Sequence, residues 1–411
     1  MKRIAVIAVI LALLPVIAGA KITIGKADFV NQTDIQSPPV PGEKGVKIKV
    51  YDVVIEGYKG KKVTFVAQIY KDTIEKMPIV ANPYDVSMDK AYISSFNFEI
   101  PNSAIFRYLG KGQHKAMVII NAFVTDQFGK TKMIDEVKLI LPIEFNFGEG
   151  MTDIFAMEVE QNMALVAQYA KDVPEFAELA ALCSNYGISA LIDKYTPDGL
   201  FTSVAYWKNC GPEDKEKIKK YLKGFLIAWK EYPVELIQKV KLKAVAFVKD
   251  LVYQNSLEVG GLANVNAGIL LMNINYSDPY DVSYLTHHEF FHYIDVVITG
   301  PLEFNNDKKW GALNKPGFMY VGSGLEMISS GKSIHEVHPK DGFISVYSMS
   351  ACEEDKADVF AYLFDHYLYG KYTKEILKSD ALLKKKFDYM KDYLWKISPV
   401  FDEAFFQNLH D

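Results

Sequence analysis

The chain has 411 residues, long enough for two or three domains. A hydrophobic content of 49% with 24% charged residues excludes a disordered chain. The formal net charge of −5 argues against a nucleic acid or an anionic lipid surface as partner.

At the start, Lys2 and Arg3 precede an apolar run from Ile4 to the small residues Ala18-Gly19-Ala20. This reads as a signal peptide over residues 1–20, cleaved before Lys21. The expected location is secreted or extracytoplasmic, possibilities that include a cell-surface anchor; membrane contact follows only if the segment stays uncleaved. With Pro15 inside, the run is marginal for spanning a bilayer.

Residues 21–148 read as an all-β accessory domain. Val46-Lys-Ile-Lys-Val50 alternates apolar and polar residues, as a half-buried strand does. Lys62–Tyr70, Ser94–Ile100, Lys115–Thr125 and Lys132–Leu141 are further candidates, rich in β-branched and aromatic residues. Gly57–Gly60, Asn82-Pro-Tyr-Asp85 and Asp126–Gly129 read as the turns between them. The pattern suggests an antiparallel β-sandwich, immunoglobulin-like in its strand count.

From residue 149 the spacing becomes helical, through about 231. Asp214–Lys230 reads as a lysine-rich helix opened by Pro212-Glu-Asp, a helix-start signal. A small sheet is expected over residues 232–280, with strands at Leu242–Val248 and Ala267–Asn275, and helices over 281–411. Cys183 and Cys210 are either a disulfide or two small buried residues, and Cys352 is left over.

The chemistry concentrates in His287-His288-Glu289-Phe-Phe-His292. On a helix over Ser283–Val297, capped by Asp281 or Ser283 and stopped by Gly300-Pro301, His288 and His292 share one face. Two imidazoles so placed can hold a zinc ion, with Glu289 beside them as a proton acceptor. His287 has no partner four residues away and is expected to face outward or bond locally. Asp295 shares the His292 face, as a supporting carboxylate or a surface one. His335-Glu-Val-His338 has the wrong spacing for a second pair and lies in an expected loop.

A second helix is expected from Glu353, where Glu354 and Asp358 lie four apart. Glu354 offers a third metal ligand, and Asp358 an acceptor for the free N–H of a ligating histidine. Glu353 and Asp355 flank it, but only Glu354 has an aspartate four residues on.

HExxH followed some sixty residues later by ExxxD resembles the gluzincin zinc metallopeptidases, the thermolysin-like group. The fuller stretches around His287–Asp295 and Phe343–Asp358 are similar to zinc-binding metallopeptidases related to the catalytic domain of anthrax lethal factor. The resemblance covers about Tyr232–Leu368. It implies an α+β zincin-like catalytic domain over 149–411, one Zn2+ per chain on His288, His292 and Glu354, and Glu289 as general base. It also implies Tyr347 as an oxyanion-stabilising group. The strand Leu270, Leu271, Met272, Asn273 and Ile274 would be the sheet edge on which an extended peptide or protein substrate lies. The third histidine of the metzincins is missing, since Ile298 stands in its place. Two other readings remain: a non-catalytic surface protein on a zincin fold, and a hydrolase of a non-peptide amide. Oligomeric state is not legible.

Overall fold

The structure, a computed structural model, describes residues 21–29, 45–58, 61–71, 80–86, 91–125, 131–147, 154–196, 205–253, 257–265, 267–300, 307–322, 338 and 341–410. The expected signal peptide, His335 and the Asp126–Gly129 turn lie outside these residues. The chain divides into two compact units, Met1–Met157 with Thr196–Ala205, and Glu158–Tyr195 with Tyr206–Asp411.

The first unit is β-rich. Strands β1 (Lys21–Phe29), β2 (Gly45–Glu56) and β5 (Tyr92–Pro101) form one antiparallel sheet in the order β1-β2-β5. Strands β3 (Lys62–Lys71), β4 (Val80–Val86), β6 (Gly112–Thr125) and β7 (Thr131–Phe147) form a second, in the order β4-β3-β6-β7. The alternation seen at Val46, Ile48 and Val50 turns these residues into a core shared with Phe65, Ala67 and Ile69 of β3. Phe65 and Phe96 meet there across the two sheets at 5.2 Å between ring centroids. Helix α1 (Asn102–Leu109) adds Ile105, Phe106 and Leu109 to the same core.

Asn82–Asp85 is not the expected turn. It lies inside β4, which among the described residues pairs with β3 alone, at the end of its sheet. Proline is tolerated there because an edge strand has one side without ladder partners.

The second unit is mostly helical around a six-stranded sheet. Its helices of seven or more residues, among the described residues, are α2 (Ile154–Tyr169), α3 (Pro174–Tyr186), α4 (Lys215–Lys230), α5 (Val234–Val240), α6 (Pro279–Thr299), α7 (Cys352–Phe364), α8 (Ala381–Ile397) and α9 (Glu403–His410). The strands are β8 (Ser189–Leu191), β9 (Ala205–Asn209), β10 (Ala244–Tyr253), β11 (Leu257–Glu258), β12 (Gly261–Asn264) and β13 (Ile269–Asn273). β10 runs parallel to β8 and β13, while β12 is antiparallel to β13. The sheet therefore recruits β8 and β9 from a stretch expected to be helical.

Helix α6 starts earlier than expected. Asp278, not Asp281 or Ser283, is its N-cap: the carboxylate accepts from Tyr280 N at 2.9 Å and Asp281 N at 3.3 Å, with Pro279 at the first position. Gly300 ends it with a positive φ of 83°. Helix α4 crosses α6 at Gly224, where a Cβ would lie 2.3 Å from Pro279 O and 2.7 Å from Val282 Cβ. Only glycine permits that approach, which sets α6 against the core.

The three cysteines are free and buried, so Cys183 and Cys210 are small core residues rather than a disulfide. The Cys210 thiol donates to Phe247 O at 3.4 Å. No helix among the described residues is long and apolar enough to cross a membrane.

Candidate metal centre

Helices α6 and α7 bring His288, His292 and Glu354 together. His288 Nε2 and His292 Nε2 are 3.1 Å apart, and they lie 3.0 and 3.2 Å from Glu354 Oε2. Two ring nitrogens and a carboxylate oxygen at such separations repel one another unless a cation or a proton lies between them. Ligands about 2.0–2.1 Å from a tetrahedral ion stand about 3.3 Å apart, close to these distances. The donor set therefore fits a small metal ion, and nitrogen donors disfavour calcium or magnesium. Glu353 is not in this group; Glu354 is. Burial and the neighbouring Glu354 push the Glu353 carboxyl up to about 8.

Asp358, fully buried on α7, stands behind His288. Its Oδ1 lies 3.1 Å from His288 Nδ1 and accepts from Tyr284 OH; its Oδ2 accepts from Ser345 Oγ at 2.6 Å and Ser348 Oγ at 2.5 Å. Burial works against the charge, but the hydrogen bonds from His288 and the serines hold the carboxyl below its usual range. An ionised Asp358 keeps the proton on His288 Nδ1 and leaves Nε2 as the ligand atom.

Glu289 is on the same helix as the histidines and is half-buried. Burial raises its pKa to about 7, against the pull of His292 and His288. It also accepts a hydrogen bond from the Gly261 N–H of β12. A Cβ at Gly261 would lie 2.8 Å from both Glu289 Cγ and Leu271 O, so the side chain rests against bare backbone. Tyr347 sits in a single 3-10 turn, Tyr347–Met349, its ring 6.0 Å from that of His288. Burial and the hydrogen bond to Glu354 raise its hydroxyl well above the usual range.

Three expectations change. Leu270, Leu271, Met272, Asn273 and Ile274 are fully buried, and β13 lies between β10 and β12. Among the described residues the sheet edge beside Glu289 is β12. His287 does not face outward: it is fully buried, its Nδ1 2.5 Å from Tyr232 OH and its Nε2 3.3 Å from Glu231 Oε2. Asp295 is not a surface carboxylate. It pairs in the interior with Lys356 of α7 and accepts from Tyr393 OH at 3.0 Å. His338 Nε2 lies 3.2 Å from Asp380 Oδ2.

Sequence reasoning missed the residues that brace the centre. Tyr284, Ser345 and Ser348 hold Asp358, while Lys386, Trp310 Nε1 and Tyr320 OH converge on buried Asp355 at 2.7, 2.8 and 2.7 Å. The signal available was the charge run Glu353–Lys356 at the start of an otherwise apolar helix. A buried helix rarely carries charges without partners.

No protein-family model matches the chain, and no match is found among curated proteins.

Proposed function

We propose that the second unit is a zinc-dependent peptidase of the gluzincin kind, exported and acting on peptide or protein substrates. The observation that carries this is the mutual approach of His288 Nε2, His292 Nε2 and Glu354 Oε2, with Glu289 on the adjacent turn. The helical surroundings and the short mixed sheet support a zincin-like fold for this unit. For the first unit, two antiparallel sheets with a helix between β5 and β6 support an immunoglobulin-like sandwich. Its fourth strand, β4, joins the sheet of β3, β6 and β7 rather than that of β1, β2 and β5.

One zinc ion per chain, held by His288, His292 and Glu354, would supply a Lewis acid and lower the pKa of water at the site. Glu289, with a pKa near neutrality, takes a proton from the attacking water and returns it to the leaving amine. Tyr347 donates its hydroxyl hydrogen bond to the developing oxyanion, which requires it to exchange its partner Glu354 for substrate. The peptide lies along β12. Asn273 N donates to Gly260 O at 2.8 Å, and in an antiparallel ladder the paired positions alternate. Leu262 therefore turns its backbone groups toward β13, and Gly261 and Ala263 turn theirs toward the open edge.

Glu289→Gln tests the reading. The variant keeps one equivalent of zinc and loses hydrolysis of an unfolded protein by about 10²–10⁴-fold, the range for a general base. Undiminished turnover with zinc bound refutes the mechanism.

A further inference from the structure

The turn that carries Tyr347 is fastened to the metal centre by two serines. Ser345 N donates to Ser348 Oγ at 3.1 Å, and Ser348 N donates to Ser345 Oγ at 3.0 Å. Each hydroxyl thus accepts from the other residue's backbone and spends its only proton on Asp358 Oδ2. The carboxylate is divided: Oδ2 serves the turn, and Oδ1 serves His288 and Tyr284. Both serines are buried, so no solvent competes for these bonds. The turn is closed on its far side as well, because Tyr347 O accepts from Ser350 N at 3.0 Å and Ser350 Oγ at 2.6 Å. Tyr347 lies between the two serines, and its hydroxyl meets Glu354.

We propose that Ser345 and Ser348 are positioning residues that hold the Tyr347 turn and the His288–Asp358 pair in one register. The metal centre then has two supports with a common anchor. One runs from Asp358 to His288, the other through the turn and Tyr347 to Glu354. Serine suits the task because a single hydroxyl must both accept and donate. Alanine at either position leaves a buried backbone N–H of the other without its acceptor and removes one bond from Asp358.

This rests on the metal-site reading, and its test reads metal affinity rather than turnover. Zinc dissociation constants are measured by competition with a chromophoric chelator for the full chain. The variants are Ser348→Ala, Tyr347→Phe and the pair together, with Ser345→Ala as a second probe should Ser348→Ala fail to fold. Ser348→Ala is expected to weaken zinc binding about tenfold, as loss of support behind a ligand does. In the Tyr347→Phe background the same change is expected to cost at least about threefold less, because part of its effect passes through the tyrosine. Wild-type affinity in both serine variants, or equal losses in the two backgrounds, overturns the proposal. A wild-type chain that binds zinc but cleaves nothing overturns the peptidase reading instead, and the affinity comparison still decides the role of the serines. A wild-type chain that binds no zinc overturns both.

Discussion

Lys356 of α7 and Asp295 of α6 form an ion pair in the interior of the second unit, with side chains only 3% and 1% exposed. The pair ties the two helices two residues beyond Glu354 and three beyond His292. Ser283 Oγ, donating at 2.6 Å to Asp365, the residue that follows α7, makes a second tie near the other end of α6. On α6 the two histidines are therefore held between two crosslinks of different chemistry, while Glu354 stands two residues before the nearer one on α7.

Such a pair is costly to break from one side. Lys356→Met leaves Asp295 buried without its cation, with Tyr393 OH as its hydrogen-bond donor among the described residues, and is expected to destabilise the unit by about 3–5 kcal/mol. Replacing both residues by apolar ones should recover much of that loss. Denaturant unfolding of the single and double variants checks it. A single variant within about 1 kcal/mol of wild type would show that the pair does not hold the helices.

The ligand set was legible because its spacing is local. His288 and His292 share a helix face by arithmetic, and so do Glu354 and Asp358. Lys356, Ser345 and Tyr232 were not, because each acts on a partner far along the chain and leaves no periodic trace. Strand β13 did carry a signal. Ile269-Leu-Leu-Met272 is a continuous apolar run, which marks a strand covered on both faces rather than an edge. In β4, Pro83 within Asn82–Asp85 reads as a turn signal, although an edge strand accepts the same residues.

The buried Glu231–His287 contact gives the fold a pH dependence. Burial raises Glu231 to about 9 and lowers His287 to about 4, so both are neutral at pH 7. For Glu231 the folded pKa exceeds the unfolded one. Its contribution is fully present below about 4.5 and is lost as pH rises toward 9. For His287 the folded pKa is depressed, and stability is lost as pH falls from about 6.5 toward 4. Glu231→Gln removes only the first effect. It should stabilise the chain by about 1–3 kcal/mol at pH 8 and not at pH 4, measured by urea unfolding at the two pH values. Equal effects at both would rule out a neutral buried Glu231.

Gly261 is expected to tolerate no side chain. Its missing Cβ leaves room for Glu289 on one side and the Leu271 carbonyl on the other. Gly261→Ala should displace the base, lowering kcat far more than KM, with zinc content unchanged because no ligand moves. Overpacking against backbone adds about 1–3 kcal/mol of destabilisation. A wild-type kcat in this variant would separate Glu289 from the strand.

The last prediction concerns the open edge of β12. If substrate adds to the sheet as an extra strand, its backbone pairs with the outward N–H and C=O of Ala263. Proline at that position removes the outward N–H and leaves the bonds of Leu262 and Asn264 to β13 intact. An edge strand accepts proline when its N–H faces away from the sheet. Ala263→Pro should then keep the fold and zinc content while kcat/KM for a peptide falls about five- to tenfold, the value of one hydrogen bond of about 1–1.5 kcal/mol. The bond lost is the one from Ala263 N–H to the facing residue's carbonyl, so a loss of similar size is expected when the wild type meets a peptide with a thioamide, a weaker acceptor, at that carbonyl, and the variant should be indifferent to that change. A variant that remains as sensitive to the thioamide as the wild type would mean that the peptide carbonyl does not pair with Ala263 N–H.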